Sequence, residues 1–271
     1  VQRGKWKLGP CIVRGAFGQV HMGLNQMTGE LIAVKACLTS FGNHNTANQL
    51  TNEVLLMQRC RHPNIVGYLG AELHGSWVCI LQEWVPGGSI CSILQNFGPF
   101  TERVTRCYAH QILQGIMYLH SCGIVHHDLK GEKQIAGDNV LVSTSGVVKI
   151  ADFGTSEQVF DLQDRHTKLM GTPYFMAPEV LQRQRHGMAV DVWAFACVIL
   201  QMLTGDAPWR SLLGTNKVVL ALLQTMQTHR TPPLPPDISP SMRALLVECF
   251  SWDPAGRPTA KDLLQSSYFS D

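Results

Sequence analysis

The hydrophobic pattern changes period once along the chain. In the first third, short β-type runs cover 19–25 and 31–36, and Met27-Thr28-Gly29-Glu30 is the turn that pairs them into a hairpin. Residues 45–59 have helical spacing instead, with Leu50, Val54 and Met57 on one face. A second hairpin is predicted from 69–74 and 76–83 around Gly75, and Pro86-Gly87-Gly88 then breaks the pattern. Beyond that break the chain turns helical. Thr101 caps a predicted helix in which Val104, Tyr108, Ile112, Ile116 and Leu119 recur every three or four residues, and Gly123 ends it. Two short strands, 140–143 and 147–151, surround Ser145-Gly146, and an irregular stretch runs on to Glu179. Further helices are predicted at 189–204, 216–227, 240–249 and 259–265. The expected fold is α+β with two lobes. A small β-rich lobe with one main helix covers 1–85, a larger helical lobe covers 86–271, and a ligand cleft lies between them.

Composition narrows this picture. Of 271 residues, 45% are hydrophobic, enough for a sizeable core and too many for a disordered chain. Twenty-two basic against 20 acidic residues argue against nucleic acid or an anionic membrane as the main partner. The most apolar stretch, 192–203, falls short of the roughly 20 residues a bilayer span needs and reads as a buried helix. Nine scattered cysteines without a CxxC pair read as reduced thiols, so a cytoplasmic setting is expected. The start at Val1 suggests a domain cut from a longer protein. The stretch Thr231-Pro-Pro-Leu-Pro-Pro236 reads as a stiff connector.

Chemistry enters through three polar groups. Val13-Arg14-Gly15-Ala16-Phe17-Gly18-Gln19-Val20 lies between strands, where glycines let backbone amides close over phosphate oxygens. A Rossmann or Walker loop runs into a helix, whereas a strand follows here, and a plain hairpin turn is the other reading. In Ala33-Val34-Lys35, period two puts Ala33 and Lys35 on one face, with Glu53 on the next helix as the natural partner of the lysine. A solvated lysine and a solvent-facing glutamate are the competing readings. Later come His126-His127-Asp128-Leu129-Lys130, Asp152-Phe153-Gly154 and Ala177-Pro178-Glu179, then Asp191 on an apolar helix and Arg257 in Gly-Arg-Pro-Thr. Each triplet alone is weak; the ordered set is specific.

With that set the whole chain resembles the eukaryotic protein kinase family. Gly15 and Gly18 match the glycine-rich loop, Lys35 the strand lysine, Glu53 the helix glutamate, Asp128 the catalytic-loop aspartate and Asp152 the metal aspartate. Arg61-His62-Pro63-Asn64-Ile65-Val66, Val85-Pro86-Gly87-Gly88-Ser89-Ile90 and Gly171-Thr172-Pro173-Tyr174-Phe175-Met176-Ala177-Pro178-Glu179 resemble the MAP kinase kinase kinases. The resemblance implies ATP and Mg²⁺ as cofactors and transfer of the γ-phosphate to Ser or Thr of a protein, with a MAP kinase kinase as the expected substrate and partner. It implies Asp128, Lys130, Lys35 and Glu53 as catalytic residues and Asn139 and Asp152 as metal ligands. Val13, Gly15, Gly18, Val20, Ala33, Gln82, Glu83, Val85 and Leu141 are implied around the nucleotide, with backbone bonds to adenine from 83–85. Glu179 with Arg257, and Asp191, are implied as structural contacts, Thr172 as a fixed contact near Asp128 and Lys130, and Thr167 as a phosphorylation site.

Three departures qualify the resemblance. Val13 replaces the first loop glycine, and a β-branched residue resists positive φ; Cot/Tpl-type kinases also lack that glycine. His127 replaces the arginine of His-Arg-Asp, and with an ordinary pKa of about 6.5 it is expected to gain charge as pH falls. The family places its metal asparagine roughly five positions after the aspartate, whereas Asn139 lies eleven after Asp128, so 132–137 look like an insertion. The insertion and Val13 motivate a competing reading, a pseudokinase acting as a nucleotide-binding or scaffold module. A small-molecule phosphotransferase is a third.

Overall fold

The computed structural model describes residues 1–15, 18–38, 44–130, 139–158, 172–213 and 219–270. Five strands come first: β1 (Trp6–Gly15), β2 (Gly18–Asn25), β3 (Leu31–Leu38), β4 (Tyr68–His74) and β5 (Trp77–Glu83), with helix α1 (His44–Arg59) between β3 and β4. They form one antiparallel sheet in the order β1-β2-β3-β5-β4. Both anticipated hairpins are present, and Gly75 turns the second at φ 58°. Alternation along β3 divides its side chains. Ile32, Val34 and Ala36 join Cys79 and Leu81 in a small outer cluster. Cys37, on the opposite face with Lys35, belongs to the large core together with Leu56 and Met57 of α1.

The remaining described elements are largely helical. They are α2 (Ile90–Phe97), α3 (Glu102–Ser121), α4 (Pro178–Leu181), α5 (Ala189–Thr204), α6 (Arg210–Leu213), α7 (Val219–His229), α8 (Pro240–Cys249), α9 (Ala260–Leu264) and α10 (Ser267–Ser270). Two ribbons interrupt them: β6 (Ile124–Val125) pairs with β9 (Glu157–Gln158), and β7 (Val140–Val142) pairs with β8 (Val148–Ile150). Thr101 caps α3 as its sequence predicts, accepting a bond from Val104 N, and Ser239 and Thr259 cap α8 and α9 in the same way. Helix α5 is buried from Val190 to Met202, as expected of a central core helix. Helix α2 was not anticipated. Its capping box is built from Ser89 and Ser92 rather than from a glutamate, and it follows directly on Pro86-Gly87-Gly88.

None of the nine cysteines is in a disulfide. Among the described residues, no helix is long and apolar enough to cross a membrane.

Candidate active site

The middle of β3 faces α1 through Lys35. Lys35 Nζ lies 2.6 Å from Glu53 Oε1 and 2.7 Å from Asp152 Oδ1, so one ammonium joins the sheet, the helix and the segment after β8. Burial disfavours the charged lysine, but Asp152 and Glu53 outweigh it and raise its pKa above the ordinary lysine range. Burial likewise pushes the Asp152 carboxyl up, yet the Lys35 charge and hydrogen bond and the Gly154 amide bring it down to about 2. Glu53 behaves differently: it is 2% exposed, and burial outweighs Lys35 and leaves its pKa raised.

Asp152 is one of the few non-glycine residues with positive φ, 62°, and its neighbours explain how that strain is held. Gly154 N donates to Asp152 Oδ1 (3.2 Å), and Phe153 is fully buried with its ring edge-on to His126. A Cβ on Gly154 would approach Lys35 Nζ to 3.3 Å and Asp152 Oδ1 to 3.2 Å, which only glycine avoids. Two residues of α1 missed in the sequence also act here. Gln49 Nε2 donates to Gly154 O (2.6 Å) and Asn52 Nδ2 to Ser156 O (3.1 Å). Both lie within a little over one turn of Glu53, and a polar stripe at 49, 52 and 53 is the signal that could have found them.

The second cluster centres on Asp128. Its Oδ2 accepts from Lys130 Nζ (2.7 Å) and Asn139 Nδ2 (3.0 Å), and its Oδ1 accepts from Thr172 N (3.1 Å). Burial raises the Asp128 pKa, with Lys130 opposing. Asn139 also donates to the Asp128 carbonyl, so the additional residues before it have not carried it away from the site. Asn139 N bonds to Lys130 O at 3.2 Å, so the chain leaves and re-enters at one point. The proposed insertion 132–137 itself lies outside the described residues, as does Thr167. Beneath this loop Asp191, fully buried on α5, accepts from His126 N, His127 N and His120 Nε2, each at 2.9 Å. Burial would raise its pKa, but His120 and the neighbouring histidines hold it at about 2.

His127 departs from its sequence expectation. Its φ is 66°, its ring meets that of His186 edge-on at 5.2 Å, and its buried Nε2 has no partner among the described residues. Burial, with neighbouring histidines adding to it against Asp191, lowers its pKa to about 4. The expected gain of charge near pH 6 is therefore corrected: the ring stays neutral there.

The positions expected around a nucleotide lie on β1, β2, β3, β5 and β7 and just after β5. Val13 pairs with Val20, Val20 with Lys35 and Ala33 with Gln82. Val13 sits in extended strand, not at positive φ, so its β-branch is unstrained. Gly15 closes β1 opposite Gly18, whose φ is 142° and whose added Cβ would lie 2.5 Å from Ala36 O. Gln82 is buried and donates to Met57 Sδ (3.2 Å). Leu141 packs against Val66, Val85 and Ala151. Glu83 N donates to Gly67 O (2.8 Å), and among the described residues Val85 N has no backbone acceptor.

Arg257 grips Glu179 with both terminal nitrogens (2.6 and 2.8 Å), bonds Ser251 O and Ala189 O, and lies over the Trp193 ring. This buried ion pair braces the start of α5, the helix that carries Asp191.

The family model for the protein kinase domain matches residues 6–269. The chain belongs to the protein kinase domain family. The kinase domain is 40% identical over 272 residues to mitogen-activated protein kinase kinase kinase 2 of Arabidopsis thaliana, and 41% identical over 271 residues to the kinase kinase kinase ANP1 of the same plant. Each match covers 97% of this chain and 40% or 39% of the relative. Mitogen-activated protein kinase kinase kinase A of Dictyostelium discoideum is 37% identical over 97% of this chain and 28% of its own length. The chain thus spans about two-fifths of the first relatives it matches.

Proposed function

We propose that this kinase domain transfers the γ-phosphate of ATP to Ser or Thr of a protein, and that the protein is a MAP kinase kinase. The observation that carries the reading is the pair of clusters at Lys35 and Asp128. One presents a buried cation locked between carboxylates, the other a carboxylate surrounded by donors, and phosphoryl transfer asks of a protein chiefly such positioning and charge. The residues fit a hard cation. Asp152 and the amide of Asn139 would offer such a cation oxygen, with phosphate and water completing its shell.

Bound Mg-ATP would supply the phosphoryl group and the charge that draws its electrons. Lys35, fixed by Glu53, would hold the α- and β-phosphates, while Asp152 and Asn139 would hold the metal. Val20, Ala33 and Leu141 would bracket the purine, and Val85 would bond its edge. Asp128 would orient the substrate hydroxyl and accept its proton, with Lys130 neutralising the transferred group. Thr172 N, bonded to Asp128, supports a Ser/Thr preference by likeness to that class. The cytoplasm is the proposed compartment, in keeping with nine cysteines none of which is in a disulfide.

The test is ATP-dependent phosphorylation of candidate MAP kinase kinases by the purified chain, with phosphosites mapped and Asp128→Asn as control. Ser or Thr phosphate lost in the control supports the reading. A folded chain that binds ATP yet transfers nothing would establish the pseudokinase instead.

A further inference from the structure

Three chain segments meet behind the purine positions, and one cation joins them. The segment between α1 and β4 is tied to β8 by backbone bonds: Ile150 N to Asn64 O (2.8 Å) and Val66 N to Ile150 O (2.9 Å). Asn64 Nδ2 adds a bond to Val148 O at 2.9 Å. The same segment is tied to the end of β5 at two points, Glu83 N to Gly67 O (2.8 Å) and Gly67 N to Glu83 Oε2 (3.1 Å). Gly67 lies close under this contact: a Cβ there would come 3.3 Å from Glu83 Oε2 and would push the carboxylate by a few tenths of an ångström. The third side of the triangle, from β8 to β5, is made by Lys149. Its Nζ lies 3.0 Å from Glu83 Oε2 and 2.9 Å from Pro63 O, with its side chain only 14% exposed.

Lys149 is the cross-strand partner of Leu141, so the two share a face of the β7–β8 ribbon. Leu141 is the proposed floor of the purine slot, and the backbone just after Glu83 is its proposed edge. The chain after Glu83 also meets the floor directly, through the Val142 N to Gly88 O bond (2.8 Å), the Ser89–Leu141 bridge and the Leu141–Val85 contact, whereas Glu83 itself, at the end of β5, is tied to the ribbon by Lys149. We propose that Lys149 is a positioning residue for the purine slot: its ion pair with Glu83 holds the end of β5 against the ribbon that carries the Leu141 floor, beside the backbone and packing contacts that hold residues 85–89 there. The Glu83 side chain is 36% exposed, so the pair is screened on that side; the largely covered Lys149 and its second acceptor, Pro63 O, fix the geometry of the latch. The slot part of this inference rests on the nucleotide-binding reading above; the latch itself does not.

The experiment uses the full chain as wild type, Lys149→Met, Lys149→Arg and Glu83→Gln. It measures the Kd of a fluorescent ATP analogue, kcat and KM for ATP, and amide hydrogen exchange at Gly67 and Glu83. Lys149→Met should weaken nucleotide binding and raise KM by about threefold or more, with kcat changed less than about twofold. Its Gly67 and Glu83 amides should exchange faster, and Lys149→Arg should restore both readouts. Unchanged Kd and unchanged exchange in Lys149→Met would overturn the proposal, as would a fall in kcat at constant KM. If Lys149→Met does not fold, Glu83→Gln, which removes the charge and keeps the shape, decides by the same readouts. If the wild type binds no nucleotide, the proposed function fails, and the exchange rates alone decide whether the latch exists.

Discussion

Lys35 holds two carboxylates from different parts of the chain, so its removal has two separable effects. Lys35→Met should abolish transfer, read as turnover, and should also destabilise the fold by about 3–5 kcal/mol, because Glu53 is left buried without its cation. The sign of the pH dependence follows from Glu53. Its folded-state pKa is already raised by burial and rises further once Lys35 is gone, so the deficit should shrink as pH falls and Glu53 takes up a proton. Adding Glu53→Gln should recover part of the lost melting temperature without recovering turnover. His127 carries the opposite lesson. Its pKa falls from 6.5 to about 4 on folding, so its contribution is complete above 6.5 and lost as pH drops from 6.5 toward 4, where the unfolded chain takes the proton first. Melting curves of His127→Asn should fall less steeply than wild type across that window. The motif registers the missing arginine, but only packing against His186 and burial show why the ring stays neutral.

Among elements, the segment after Lys130 decides whether the site tolerates its unusual spacing. Its two ends are joined by the Asn139 N to Lys130 O bond, and lengthening a loop between fixed ends costs little. Deleting 132–137 should therefore keep or raise activity, measured as kcat/KM; a folded but inactive deletion would give those residues a positive role. The elements that the sequence revealed share a physical reason. Helix α5 and the β2–β3 hairpin are written in local signals, the continuous apolar run of the helix and the 27–30 turn. Helix α2 is short and capped by two serines, and β9 is a two-residue strand whose partner, β6, lies more than thirty positions earlier, so neither leaves a periodic trace. The β3–β5 pairing, with α1 and β4 intervening, is equally invisible to any window. In the candidate site, Lys35, Asp128 and Asp152 were legible from ordered motifs. Gln49, Asn52 and Lys149 were not, because their roles depend on what folding brings beside them.

At the scale of the molecule, the clusters are set on a scaffold whose own ion pair can be removed separately. Arg257→Met should lower stability by about 3–5 kcal/mol through the stranded Glu179, while KM for ATP in the folded fraction stays at the wild-type value. A denaturant midpoint and a nucleotide titration on the same sample check both halves. Helix α1, by contrast, is fastened to the segment after β8 by Gln49 and Asn52, and through Lys35 by Glu53. All three ties lie within a little over one helical turn, so a rigid outward swing of α1 would have to break them together. The position of that helix therefore behaves less like a dial than like a logical conjunction: Lys35, Glu53 and Asp152 are assembled when every tie is made, and a partner or modification that pulls α1 away needs to offset the sum of the ties at once.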